Sequence, residues 1–219
     1  MATKLFLRST QTNPFGGIYY DMVPTAGAGA TTATVDSVAS GTEIQWTQTA
    51  GGALIQWVGG RVPAGGFTLT ATDISIWAHE TSANANDGGR YRVFIRTAAG
   101  VETEIGGGPF DDGVEFTKLT PTEMTWPGNV TDTAFAENDR ILLKVYITNI
   151  GTMGNFVSVL TYDAADAATG DSFFNIAETV TFKAEDVAPV GGAQYITIPD
   201  TMGLDGPIII VGAPNPRSM

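Results

Sequence analysis

The sequence predicts an all-β protein: an antiparallel β-sandwich of jelly-roll type over residues 1–185, then a linker and an extended C-terminal β arm over residues 186–219. Three observations carry this. Apolar residues alternate with Thr, Ser and Arg in several short runs, the period of half-buried strands. Gly- and Pro-containing turns separate those runs, and the 219 residues include 27 glycines and 11 prolines. No window shows the apolar period of an amphipathic helix. With 43% hydrophobic and 16% charged residues, the chain has material for a core and is unlike a disordered segment.

The first strand covers Lys4 to Arg8, and after a Thr/Asn/Pro/Gly turn a second apolar stretch runs from Phe15 to Val23. Residues 24–40 are Ala, Gly, Thr and Ser with little to bury, an exposed loop or a weak strand. Glu43 to Thr49 and Leu54 to Val58 follow, divided by Ala50-Gly51-Gly52; Gly59-Gly60 and Pro63 to Gly66 mark the next turn. Within Phe67 to Glu80, Phe67, Leu69 and Ala71 share one parity, whereas Ile74, Ile76 and Ala78 take the other. That switch predicts a bulge, or a bend between two sheets, near Asp73. Asn84 to Gly89 is a turn. Beyond it Tyr91, Val93 and Ile95 face one way and Arg90, Arg92 and Arg96 the other. Val101 to Ile105 is a short strand, Phe116 to Met124 is extended, and Ile141, Leu143, Val145 and Ile147 alternate in a further strand. Phe156 to Tyr162 and Phe173 to Phe182 complete the sandwich.

After Phe182 the character changes. Lys183 to Gly192 is a charged linker containing Pro and Gly, and beyond it lie two strand-forming runs. Tyr195, Ile196 and Ile198 in the first, with Ile208, Ile209 and Ile210 in the second, are the expected interface residues. An arm that adds a strand to a neighbouring subunit is one explanation. An edge strand on the protein's own sheet is the other.

The formal net charge of −12 repels phosphate and anionic lipid, so neither nucleic acid nor membrane is an expected partner. The chain has no cysteine, and its one histidine, His79, has no nucleophile motif around it. G-x-S-x-G, H-E-x-x-H and a Walker loop are absent from the sequence. No catalytic, cofactor-binding or metal-binding residue is expected, and no cofactor. Asp111-Asp112 and the Asp163, Asp166, Asp171 group carry oxygens that calcium would accept, but they match no EF-hand spacing and read as solvated turns. A polysaccharide hydrolase would need two carboxylates held across a groove, a pairing that linear order does not reveal.

Trp77 is expected to face away from Ile76. Trp46, Trp57 and Trp126 suit packing or a subunit contact, with a sugar-stacking platform as the alternative. Glu178 falls in phase with Phe174, Ile176, Val180 and Phe182, and a carboxylate on that apolar face needs a partner. The Arg stripe offers one, so Glu178 and Arg92 form a candidate buried ion pair. A bulge that turns Glu178 outward is the alternative.

Four segments then carry a resemblance: "KLFLRST", "FTLTATDISIWAHETSANANDGGRYRVFIRTAAG", "DRILLKVYITNIG" and "TYDAADAATGDSFFNIAETVTF". Together they resemble a group of tailed-bacteriophage and prophage proteins with an FLR opening, a W-x-x-E-S-x-x-x-N block before an R-x-R-V strand, and a GDSY/F…ET-x-TF ending. The matching residues are Trp77, Glu80, Ser82, Asn84 or Asn86, Arg90, Arg92, Gly170, Asp171, Ser172, Glu178 and Phe182, while the "TS" after Glu80 departs from the usual "ES" pairing. The resemblance spans residues 1–183 and implies a structural virion component with a sandwich fold, made in the host bacterial cytoplasm. Net acidity then favours the outer head surface over the DNA-facing one. The expected protein is a capsid decoration (cement) protein, a symmetric homo-oligomer such as a trimer, bound to the major capsid protein or other virion proteins. A tail- or fibre-associated receptor- or glycan-binding module is the alternative.

Overall fold

The structure is a computed structural model that describes residues 3–15, 17–36, 43–47, 53–111, 113–150 and 157–183. The chain divides into two units, Met1–Ala184 and Glu185–Met219, and every described residue belongs to the first. The expected arm, with Tyr195, Ile196, Ile198, Ile208, Ile209 and Ile210, lies outside the described residues.

Among the described residues there is no helix, and hence none long and apolar enough to cross a membrane. The strands in chain order are β1 (Thr3–Leu7), β2 (Tyr19–Val23), β3 (Thr31–Asp36), β4 (Glu43–Gln45), β5 (Gln56–Gly59), β6 (Phe67–Leu69) and β7 (Thr72–Glu80). They continue with β8 (Asp87–Arg96), β9 (Glu102–Glu104), β10 (Thr122–Gly128), β11 (Thr133–Phe135), β12 (Arg140–Asn149), β13 (Val157–Tyr162) and β14 (Phe173–Ile176).

One layer centres on β7. It pairs with β10 along one edge, and along the other with β14 at its N-terminal half and β13 at its C-terminal half. β3 then flanks β13, and β1 followed by β2 flanks β14. The second layer centres on β12, with β8 and then β9 on one side and β4 and β5 on the other. A parallel pairing of β2 with β5, Tyr19 opposite Gln56 to Met22 opposite Gly59, joins the layers into one curled sheet. The remaining pairings are antiparallel, as an alternating pattern with one wet face requires.

The enclosed faces meet in one core. Tyr91 of β8 packs edge-on against Phe174 of β14 at 6.1 Å, and its hydroxyl pairs with the Thr72 hydroxyl of β7 at 2.9 Å. Trp57 of β5 meets Tyr162 of β13 at 5.3 Å, and Phe116 sits between Trp46 and Trp126. This approach requires glycine at two places. A Cβ on Gly89 would lie 2.0 Å from the Trp126 ring, and one on Gly128 would lie 2.2 Å from the Tyr91 hydroxyl.

Local expectations shift or are resolved at several points. The parity switch lies at Thr70-Ala71, before Asp73, and the chain there leaves β6, which pairs only with β11, to enter β7. Residues 116–121 are loop, and the strand expected around them runs later, over β10. Pro127-Gly128 closes that strand, which proline tolerates because β10 is an edge. The Ala/Thr-rich stretch after residue 30 forms β3, held by six-residue pairing with β13.

Candidate functional site

The outward positions of β7 are Asp73, Ser75, Trp77 and His79, because Ile74, Ile76 and Ala78 are committed to the core. Along this strand the partner changes from β14 to β13, which leaves a fork at Trp77. Ser172 fills it: its hydroxyl accepts the Trp77 N–H at 3.0 Å and donates to the Thr161 carbonyl at 2.6 Å. The Gly170-Asp171-Ser172 motif therefore has a structural task.

The loop before Ser172 folds over the outer face of β1 and β14. Asp163, Ala167 and Gly170 take positive φ values of 67°, 60° and 90°, which tighten it into successive turns. Asp171 Oδ2 accepts the Ala167 N–H at 2.8 Å and the Lys4 ammonium at 3.3 Å, and Lys4 also reaches Asp166 at 2.8 Å. The same ammonium lies 3.8 Å from the Phe173 ring centroid and 4.5 Å from that of Phe6. It holds the Asp166 carboxyl below the ordinary carboxylate range.

Between this loop and the sheet lies a pocket of about 290 Å³ lined by Lys4, Trp77, Glu123, Asp166, Asp171 and Phe173, with Ala167 and Ala168 from the loop. Glu123 stands directly opposite Trp77 on β10 and accepts a hydrogen bond from Ser75. Asp171 is 4% exposed, and its Oδ1 accepts no hydrogen bond. The pocket thus combines an aromatic wall, three carboxylates and a single cation.

The residues singled out by sequence are distributed differently. Trp77 faces outward as expected. Trp46, Trp57 and Trp126 are fully buried within this one chain, so they pack the core and form no sugar platform. Glu178 and Arg92 do not pair. Arg92 grips Glu43 through Nε at 2.8 Å and Nη2 at 3.0 Å and reaches Glu104 at 2.8 Å. The strand β14 stops at Ile176, so Glu178 leaves the apolar face and accepts the Thr70 N–H and hydroxyl at 2.8 and 2.5 Å. Asp163 and Asp171 are buried ion-pair partners, which corrects the solvated-turn reading for both; Asp163 holds Arg8 at 2.5 Å. Among the described residues no group of three or more acidic or His side chains could hold a metal ion.

Among the buried carboxylates that sequence reasoning passed over is Glu80. It is fully buried at the end of β7, where Oε1 accepts the Asp87 N–H and closes the turn into β8. Burial, reinforced by the Glu115 and Asp87 charges, pushes its pKa up to about 7. The signal was available: Glu80 is in phase with Ile74, Ile76 and Ala78. His79 lies on the opposite face; burial lowers its pKa, and its Nδ1 makes no hydrogen bond.

The outer face of the second layer is a charge ladder. Glu43 joins Arg90 and Arg92, Asp111 holds Arg90, and Glu102 joins Arg96 at 2.7 Å to Lys144 at 3.0 Å. Burial raises the Glu43 pKa, but the two arginines outweigh it and hold the group below the ordinary range.

No family model matches the chain, and no curated protein matches it. The phage-protein resemblance therefore rests on its sequence motifs alone. Among solved structures, two of a CocE/NonD family hydrolase from Staphylococcus aureus align with TM-scores of 0.52 and 0.51 at 9% and 10% identity. Each alignment covers 80% of this chain but only 36% of the hydrolase, and it shows the fold alone. The VP2 subviral particle of infectious bursal disease virus aligns at a TM-score of 0.33 and 9% identity, over 78% of this chain and 44% of VP2. That overlap is too loose to carry an argument.

Proposed function

We propose that this chain is a non-enzymatic structural component of a tailed-phage virion, a decoration protein that binds the outer head surface as a homo-oligomer. The observation that carries this reading is how the charge is arranged. Eight cationic side chains (Lys4, Arg8, Arg90, Arg92, Arg96, Lys118, Lys144 and Lys183) are each tied to a carboxylate of the same chain. The chain keeps a net charge of −12, which suits a protein packed densely outside a nucleic-acid container and disfavours one that grips DNA. The sequence motifs of the phage resemblance support the same assignment.

The absence of catalysis is part of the proposal. A histidine that serves a nucleophile as base is oriented by a third group, and the His79 Nδ1 has none. Asp166 and Asp171 are clamped to one ammonium and do not stand apart as an acid and a base.

The test is the mass of the protein in solution, followed by binding to capsids stripped of accessory proteins. A stable oligomer that saturates capsids at a fixed ratio is the expected result. A monomer that ignores capsids would overturn it and move the role to a tail-associated receptor-binding module. That second reading is favoured by one observation, the outward Trp77 beside a pocket.

A further inference from the structure

The pocket beside Trp77 has a chemistry that selects its occupant. Three carboxylates, Glu123, Asp166 and Asp171, line it together with one ammonium, that of Lys4. The three carboxylates exceed the one ammonium by two charges: Lys4 is shared between Asp166 and Asp171, and Glu123 has no ionic partner among the described residues. One carboxylate oxygen, Asp171 Oδ1, is buried with no donor, so its negative potential is not spent on a hydrogen bond.

The aromatic wall is half used. Lys4 already lies over Phe173 at 3.8 Å. Among the described residues no cation lies over Trp77, whose indole has the strongest quadrupole of the aromatic side chains. Directly opposite neighbours on antiparallel strands have Cβ atoms about 4.5–5.5 Å apart, so the Glu123 carboxylate stands beside the indole it faces. A flat or compact cation placed between them would meet the ring with its face and the carboxylate with its N–H groups.

We propose that this pocket receives a guanidinium or ammonium group, presented as an arginine or lysine side chain on the surface of a partner protein. The dimensions agree: about 290 Å³ is at the lower limit of small-molecule pockets, room for one head group and its stem. The rim agrees as well, since the Asp166 side chain is 68% exposed and meets an incoming group first. The net charge of −12 draws a basic partner surface toward the site from a distance. A neutral sugar would stack on the same ring but would leave the two excess charges uncompensated. The proposal rests on the reading that the sandwich attaches to a protein surface, and it names the contact.

The experiment separates the two. The Trp77 indole N–H resonance, assigned with Trp77→Leu, is followed during titration with N-acetyl-arginine amide, with its neutral isostere N-acetyl-citrulline amide, and with methyl glucoside. The expected result is a saturable shift with the arginine compound, at least tenfold tighter than with citrulline or the glycoside. Glu123→Gln should weaken it severalfold while leaving the melting temperature and the other indole resonances in place. Equal response to arginine and citrulline, tighter binding of the glycoside, or no saturable shift would each overturn the proposal.

Stripped capsids provide the second arm. Loss of attachment by a folded Glu123→Gln protein would support the contact, and attachment equal to wild type would overturn its docking role. If wild type ignores capsids yet binds the arginine compound, the decoration reading falls and the cation site stands.

Discussion

Replacing Glu80 by Gln offers a direct measure of what a buried carboxylate does to this fold. The side chain is fully buried, and its pKa is pushed from an ordinary 4.5 up to about 7. In the unfolded chain the group ionises near pH 4.5, whereas the folded protein keeps its proton until about pH 7. Between those values the unfolded state binds fewer protons, so the Glu80 contribution is fully present below pH 4.5 and lost as pH rises through 7. The difference corresponds to about 3 kcal/mol. Gln keeps an oxygen to accept the Asp87 N–H and never ionises. Glu80→Gln should therefore be close to wild type at pH 4.5 and more stable by up to about 3 kcal/mol at pH 8.5. At roughly 2–4 °C per kcal/mol for a chain of this size, the melting temperature should rise by about 6–12 °C at the higher pH. Thermal and urea unfolding of both proteins at the two pH values would give the comparison, and carboxylates other than the neighbouring Glu115 and Asp87 cancel in it. A stability difference independent of pH would refute the reasoning, as would a destabilised variant at pH 8.5.

The remaining predictions concern packing and the fork. Ser172→Ala removes the hydroxyl that serves both the Trp77 N–H and the Thr161 carbonyl, and should cost about 2–4 kcal/mol by urea unfolding, since each unmet buried group costs ~1–3 kcal/mol. Gly89→Ala drives a methyl into the Trp126 ring and should cost about 1–3 kcal/mol, with a changed near-ultraviolet spectrum from the displaced indole. In a double-mutant cycle, Glu178→Ala and Arg92→Ala should show no coupling beyond ~0.5 kcal/mol, because the two side chains have separate partners. Deleting residues 186–219 should leave the sandwich folded; if the arm crosses between subunits, one of the two readings of the sequence, sedimentation will show a monomer.

The layers were legible where a strand has one dry face. Tyr91, Val93 and Ile95 against Arg90, Arg92 and Arg96, or the alternation through β12, specify both the strand and its inner side. β3 was legible only as one of two alternatives, because Ala and Thr bury little, and what holds the strand is main-chain pairing to β13, residues distant in the chain. β10 was displaced because Pro127 and Gly128 argue against a strand, and only its edge position removes the objection. For the candidate site, parity gave the outward direction of Trp77, but nothing local to Lys4 indicates that it lies beneath a loop 162 residues later. The in-phase rule that drew attention to Glu178 applied equally to Glu80. It failed for Glu178 because β14 stops at Ile176, two residues before Glu178, although the apolar pattern runs on to Phe182.

The edge at β10 has a consequence for a protein held at high local density. A bare strand edge is a template on which another copy of the same chain can build a continuous sheet, and it grows more hazardous as copies are brought closer. β10 presents solvent with Glu123, Thr125 and Pro127, and Pro127 offers an incoming strand no N–H. At the opposite end of the sheet β9 is three residues long and carries Glu102 and Glu104. Two copies meeting edge to edge there would find few bonds to exchange. Continuous sheet growth between crowded copies is thereby disfavoured at these two edges.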